Sequence, residues 1–318
     1  MTLKILLWAQ AISYVASMNS QCFGVYDRTD SFKRADMPFL RGTSARITWA
    51  LLEPAPGKFD WGPFNATLTK AMAAKQCLYA SVLSGPDSPE WLYGAGSVPR
   101  VKPDPKSTKE KHMKFQNYPF YLDANYKKYY ARMIEAVANY FRRSAWGEFI
   151  SFFQVMTGST GDEEAYKAKP LLSKYEISHD QWRDFRLFSF GVHVKAFQKG
   201  SVGPIIQLLF NRLEDYAYPV EYAWVEANAA RPYGVKTSGV GRGHHLSGTR
   251  KLVQEWHPRI VDPPAGKGLF ARSEMDQTWR QPYYSLNVPL GFYWGAITGL
   301  QVGLGVWDIT ESALKVSD

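Results

Sequence analysis

Two stretches of the chain end in acids that could do chemistry. In the first, the apolar run Phe152-Phe153-Gln154-Val155-Met156 breaks at Gly158 and Gly161 into the consecutive carboxylates Asp162, Glu163 and Glu164. Three adjacent acids repel one another, so one is expected to keep its proton at neutral pH and to serve as an acid. In the second, Leu269-Phe270-Ala271 leads through Arg272 and Ser273 to Glu274. A pair of such carboxylates facing one cleft is what glycoside hydrolysis requires: one protonates the leaving oxygen while the other attacks or activates water. Read singly, the first stretch has a lesser alternative as a solvated acidic turn, and the second is more often a structural ion pair. Their places in the order of strands make them a pair.

Eight short apolar, β-branched or aromatic runs predict strands: Gln21–Tyr26, Ser44–Leu51, Leu78–Leu83, Phe149–Met156, Pro204–Phe210, Gly234–Thr237, Gly268–Arg272 and Gly303–Ile309. Amphipathic stretches lie between them. Asp123 is placed to cap a helix with apolar positions Tyr126, Tyr130, Met133, Val137 and Tyr140, and Ser178 with Gln181 forms a capping-box pattern ahead of Trp182, Phe185, Val192 and Ala196, with Gly200 as a stop. Eight strands with helical crossovers predict an α/β fold of the (β/α)8 TIM-barrel type, in which reactive groups sit at the C-terminal ends of the strands. The two acids then belong to strands four and seven. A doubly wound sheet would need a phosphate-cradling turn, and Gly239-Val240-Gly241-Arg242-Gly243 does not have the GxGxxG spacing. Only Thr310–Asp318 follow the last strand, so the barrel is expected to lack its closing helix or to draw it from further sequence. The domain reading is a signal-like segment or N-terminal extension over 1–20 and one catalytic barrel over 21–318.

One segment carries a resemblance. Arg46-Ile47-Thr48-Trp49-Ala50-Leu51-Leu52-Glu53-Pro54-Ala55-Pro56-Gly57-Lys58-Phe59-Asp60-Trp61 resembles the R-x-x-W-x-x-x-E-P-x-x-G-x-[FY]-[DN]-[WF] signature after the second strand of clan A glycoside hydrolases, particularly the family 42 β-galactosidases. Ser88-Pro89-Glu90-Trp91-Leu92 is similar to that group's P-x-W-L element. The resemblance implies a retaining mechanism, with an acid/base Glu after strand four and a nucleophilic Glu after strand seven. By position these are Glu163, with Asp162 and Glu164 as alternatives, and Glu274. The clan places Asn before the acid/base Glu, and here Asp162 stands there. Arg46 would either keep the nucleophile ionised, as the resemblance implies, or pair structurally with Glu53.

Further polar and aromatic residues fall at expected strand ends. Asn211, Lys236 and His244 are candidates for binding sugar hydroxyls, and Trp49, Trp91 and Trp307 for stacking on sugar rings. His244 and His245 are adjacent and would point to opposite faces of a strand, so no metal site is expected, and no cofactor. Asn65-Ala66-Thr67 matches a glycosylation sequon.

The composition bounds these readings. The chain has 318 residues, 45% hydrophobic and 21% charged, with 11 Trp, more than a core demands. The net charge of +9 favours an anionic glycan, and Lys102, Lys106, Lys109, Lys111 and Lys114, with Arg242, His244 and His245, would concentrate it on the catalytic face. Nucleic acid is not expected as a partner, since no Lys/Arg block interleaved with aromatics occurs. Only Cys22 and Cys77 are present, which excludes a disulfide framework and zinc spacing. Lys4, the run Ile5–Ile12 and Val15-Ala16-Ser17 have the order of a secretory signal and point to a secreted or periplasmic protein, and no later run suits a membrane span. The expectation is a hydrolase of β-linked, galactose-containing and anionic or sulfated oligo- or polysaccharide. The alternative is a non-catalytic barrel that binds carbohydrate or polyanion, and the carboxylate separation discriminates them: about 5 Å for retention and about 6.5–9.5 Å for inversion.

Overall fold

The computed structural model describes residues 22–28, 37–107, 117–144, 150–159, 164–199, 205–210, 218–230, 233–239, 269–275, 293, 295–297, 299 and 304–309. Eight strands close into a parallel barrel: β1 (Gly24–Asp27), β2 (Leu40–Thr48), β3 (Cys77–Leu83), β4 (Ile150–Gln154), β5 (Leu208–Phe210), β6 (Tyr233–Gly239), β7 (Leu269–Met275) and β8 (Val306–Ile309). Every strand pairs with its sequence neighbour, and β8 returns to β1 with Gly24 opposite Val306. The expected TIM barrel is therefore the fold. The signal-like segment 1–20, the Gly200 stop and the stretch after the last strand lie outside the described residues.

Strand alternation sorts the side chains into two layers. Ala45, Ile47, Leu78, Ala80, Phe153, Leu208, Phe210, Val235, Ala271 and Ile309 face outward into the main core beneath the helices. Tyr26, Tyr79, Phe152, Leu209, Phe270 and Val306 fill the interior. Gly42 sits on this inner side because a Cβ there would lie 2.3 Å from the Tyr26 ring.

The helices follow their sequence signals. β2 ends at Thr48, three residues earlier than the apolar run suggests, because the Thr48 hydroxyl accepts from the Leu51 amide and opens one turn, α1 (Trp49–Leu52). After α2 (Gly62–Ala73), α3 (Ala124–Arg143) is capped by Asp123, whose carboxylate accepts from the Asn125 and Tyr126 amides. Tyr126, Tyr130, Met133 and Val137 are buried at the expected spacing, while Tyr140 stays half-buried and stacks on Trp61 at 4.2 Å. α4 (His179–His193) begins with the capping box of Ser178 and Gln181 and runs into a wider-wound turn, Val194–Gln198. α5 (Tyr218–Asn228) docks on α4 through the fully buried pair Arg186–Glu221, 2.6 Å apart.

Cys22 and Cys77 form a disulfide. The cysteine count excluded a framework of bonds, but proximity of the two residues arises only in the barrel: Cys22 precedes β1, and Cys77 opens β3, opposite Gly42 of β2.

Candidate active site

The inward residues at the C-terminal ends of the strands are polar and mostly charged. Glu274 stands on β7, one residue before its end, where the sequence places a nucleophile. Its parity matches Phe270 and Arg272, so it faces inward, and its side chain is only 17% exposed. Lys236 Nζ on β6 lies 3.1 Å from one carboxylate oxygen. Arg28 Nη1, just past β1, lies 2.9 Å from the other, with Arg272 Nη2 at 3.8 Å. Burial alone would raise the Glu274 pKa, but the fields of Lys236, Arg28 and Arg272 outweigh it and hold the group well below the usual carboxylate range. The result is a carboxylate ionised at any working pH, the state a nucleophile needs.

A second layer lies beneath. Arg272 Nε donates to Asp308 Oδ2 on β8 at 2.9 Å, and its Nη2 donates to the same oxygen and to the Tyr79 hydroxyl at 3.1 Å. Tyr79 in turn donates to Asp308 Oδ2 at 2.7 Å. Burial pushes the Tyr79 phenol up to about 12, so it stays a neutral donor. Burial of Arg272 acts to release its proton, but Asp308, Tyr79 and Glu274 more than reverse this. This network fixes the Arg272 guanidinium below Glu274.

The sequence-predicted residues divide. Glu163, Asn211 and His244 lie outside the described residues, as do Asp162, Arg242, His245, Lys109, Lys111 and Lys114. Glu164 is described and pairs with Lys167 at 3.0 Å on the surface. Lys236 sits in the site, paired with Glu274. Arg46 points inward and lies within the field of Glu274, without a direct ion pair to either expected partner. It makes no ion pair with Glu274, whose cations are Lys236, Arg28 and Arg272, nor with Glu53, whose cation is Arg132 on α3.

Two of the three Trp platforms require correction. Trp49 has no exposed surface and sits in the outer core, edge-on to Tyr130, with its Nε1 donating to Glu53 at 2.8 Å. Trp307 is 3% exposed and lies between the inward Val306 and Asp308, so alternation turns it out under the helices. Neither presents a face to a sugar. Trp91 is half-buried and clamps the signature loop to α3: its Nε1 donates to the Glu53 carbonyl at 2.8 Å and its ring meets Tyr129 and Arg132. Glu53 also accepts from the amide of Gly57 at 2.6 Å, and Gly57 holds φ +72°, a conformation that favours glycine. The W-x-x-x-E-P-x-x-G part of the signature therefore encodes a surface turn anchored on the buried Trp49 and Glu53, and of the signature's specified positions Arg46 faces the site.

Sequence reasoning missed Arg28, Arg272, Tyr79 and Asp308. Arg272 was within reach, since residues two apart on a strand share a face. Asp308 and Tyr79 carried no local signal, because they meet from strands 229 residues apart.

The architecture defines a (β/α)8 barrel with an ionised carboxylate held at the C-terminal end of strand seven. The fold is that of a family 10 xylanase from Bispora sp. MEY-1 with xylobiose, at 10% identity, TM-score 0.54, 95% of this chain and 86% of that chain. Xylanase B from Clostridium stercorarium F9 also aligns, at 11% identity, TM-score 0.47, 92% of this chain and 88% of that one. Curated protein sequences include no match. The glycoside hydrolase family 42 pattern, described as "Beta-galactosidase", matches residues 25–167, which run from β1 past β4. The chain is a (β/α)8 barrel of the kind glycoside hydrolases use, and over residues 25–167 it is similar to the family 42 β-galactosidases.

Proposed function

We propose that the enzyme cleaves β-linked, galactose-containing oligo- or polysaccharide with retention of configuration, Glu274 acting as nucleophile and Glu163 as acid/base. The observation that carries this reading is the position and charge of Glu274. A Glu274 oxygen attacks the anomeric carbon as the glycosidic C–O bond breaks, and the departing oxygen takes the proton of Glu163. Water then attacks the same carbon, giving its proton back to Glu163, and Glu274 leaves as carboxylate. Lys236 and Arg28 fit this cycle, since they stabilise the negative form with which it begins and ends. The net positive charge supports an anionic or sulfated glycan. Lys102 and Lys106 of that argument are exposed after β3.

The test is a hydrolysis screen on neutral and sulfated galactans, with Glu274→Gln as control and product anomers followed by proton NMR. Turnover in wild type, its loss by several powers of ten in Glu274→Gln and a first-formed β-anomer are expected. Full activity in Glu274→Gln would remove Glu274 from the mechanism, and a first-formed α-anomer would replace retention by inversion.

A further inference from the structure

The charges at the mouth of the barrel do not cancel among the described residues. Arg28, Arg46, Lys236 and Arg272 are four cations, and Glu274, Asp308 and Asp87 are three carboxylates. Lys236 and Arg28 are taken up by Glu274, and Arg272 by Asp308. Asp87, in the loop after β3, feels Arg46 but makes no ion pair with it, and burial raises its pKa. Among the described residues, Arg46 is the cation that makes no ion pair.

Its setting is a receptor's setting. Arg46 is on the inner side of β2, four residues above Gly42, and its Nε is closed off from solvent with no hydrogen-bond partner. Directly across the ladder on β3 is Ser81, whose fully buried hydroxyl also has no partner. Ser81 shares the inward parity of Tyr79, so two unsatisfied donors stand side by side on neighbouring strands. Arg272 Nη1 on β7 is a third buried donor without a partner. Asp308 Oδ1 is an unpartnered acceptor, but its charge is already matched by Arg272.

We propose that Arg46, with Ser81, binds an oxyanion carried on the substrate's sugar, a ring carboxylate or a sulfate ester, in the pocket that holds Glu274. A hydroxyl would satisfy one donor and leave the charge excess in place. An oxyanion satisfies several donors and supplies the missing negative charge, and the planar guanidinium fork matches two of its oxygens. Burial, Arg28 and Arg272 weaken Arg46's hold on its proton, and the fields of Tyr79 and Glu274 offset this only in part. Arg46 thereby determines specificity, while Glu274 keeps its own cations for chemistry. The inference rests on the hydrolase reading only in treating the Glu274 pocket as the sugar site.

Binding separates the two ideas. Calorimetry of the wild type against galactose, galacturonate and galactose 6-sulfate, and against the matching gluco series, should find an anionic sugar bound at least about tenfold tighter than its neutral parent. Preference for the uronate identifies a carboxylate, and preference for the 6-sulfate a sulfate ester. Arg46→Gln should abolish the preference and Ser81→Ala should reduce it. Arg46→Lys, which keeps the charge but not the fork, should shrink it and serves as the deciding variant if Arg46→Gln does not fold. Absence of any anionic preference overturns the proposal, as does a preference that survives substitution of Arg46. Turnover of aryl β-glycosides is measured in parallel. Hydrolysis without anionic preference defeats the Arg46 proposal alone, and anionic preference without hydrolysis of any glycoside defeats the hydrolase reading alone.

Discussion

Removing the Cys22–Cys77 bond should cost stability and spare catalysis. The bond ties the residue before β1 to the first residue of β3 across a sequence separation of 55. In the chain-entropy account, opening a loop of that length frees the unfolded chain by about 4 kcal/mol at 25 °C. Spread over the unfolding entropy of a chain this size, it lowers the melting temperature by about 6 °C. Both cysteines lie at the N-terminal end of the barrel, whereas Glu274 lies at the other end of its strand, so the rate well below melting should not change. The Cys22→Ala/Cys77→Ala double variant and the wild type, each with and without reductant, would be compared by urea unfolding and thermal melting. The wild type should fall to the variant's level on reduction, and the variant should ignore reductant. Two reactive thiols in the untreated native protein, or equal stability of the two proteins, would refute the argument. Such bonds persist in oxidising compartments, so soluble yield should be higher on export than in a reducing cytosol.

Lys236→Met removes the leading cation from Glu274, so the Glu274 pKa should rise and activity at the acid end of the kcat/KM profile should fall relative to wild type, and an unchanged acid end would show that Lys236 does not hold Glu274 ionised. His193 is fully buried against Phe153 and Phe197, and burial lowers its pKa from 6.5 to about 4. The unfolded chain therefore takes up a proton that the folded one refuses, and stability should fall as pH drops from 6.5 to 4, by up to about 3 kcal/mol. His193→Gln should flatten that part of the curve in urea titrations, and an unchanged slope would assign it elsewhere. Glu274→Ala should be less stable than Glu274→Gln, because it opens a gap and strips the counter-charge from three cations, and equal melting temperatures would mean those cations relax freely into solvent.

Much of this molecule is written locally. Eight β-rich runs separated by capped amphipathic segments lead to one arrangement, because parallel strands require crossovers and each crossover buries its stripe on the sheet. Asp123 and Ser178 cap as their spacing predicts, and Glu274 falls at the inner end of strand seven because acid after apolar run is a pattern within a few residues. The fate of Trp49, Trp91 and Trp307 is not local. Whether an indole faces a sugar or a helix depends on strand parity and on where β2 stops, which the Thr48 hydroxyl decides. The signature around Glu53 reads as a functional motif, yet it folds into a turn anchored on a buried carboxylate, which is used up by the Trp49 indole, the Gly57 amide and Arg132 of α3. Charge pairing is the least local property. Arg28 just past β1, Lys236 of β6 and Arg272 of β7 come together to surround one carboxylate, Asp308 and Tyr79 join them across the barrel, and among the described residues Arg46 makes no ion pair, since an ion pair forms only between groups that closure brings within about 4 Å.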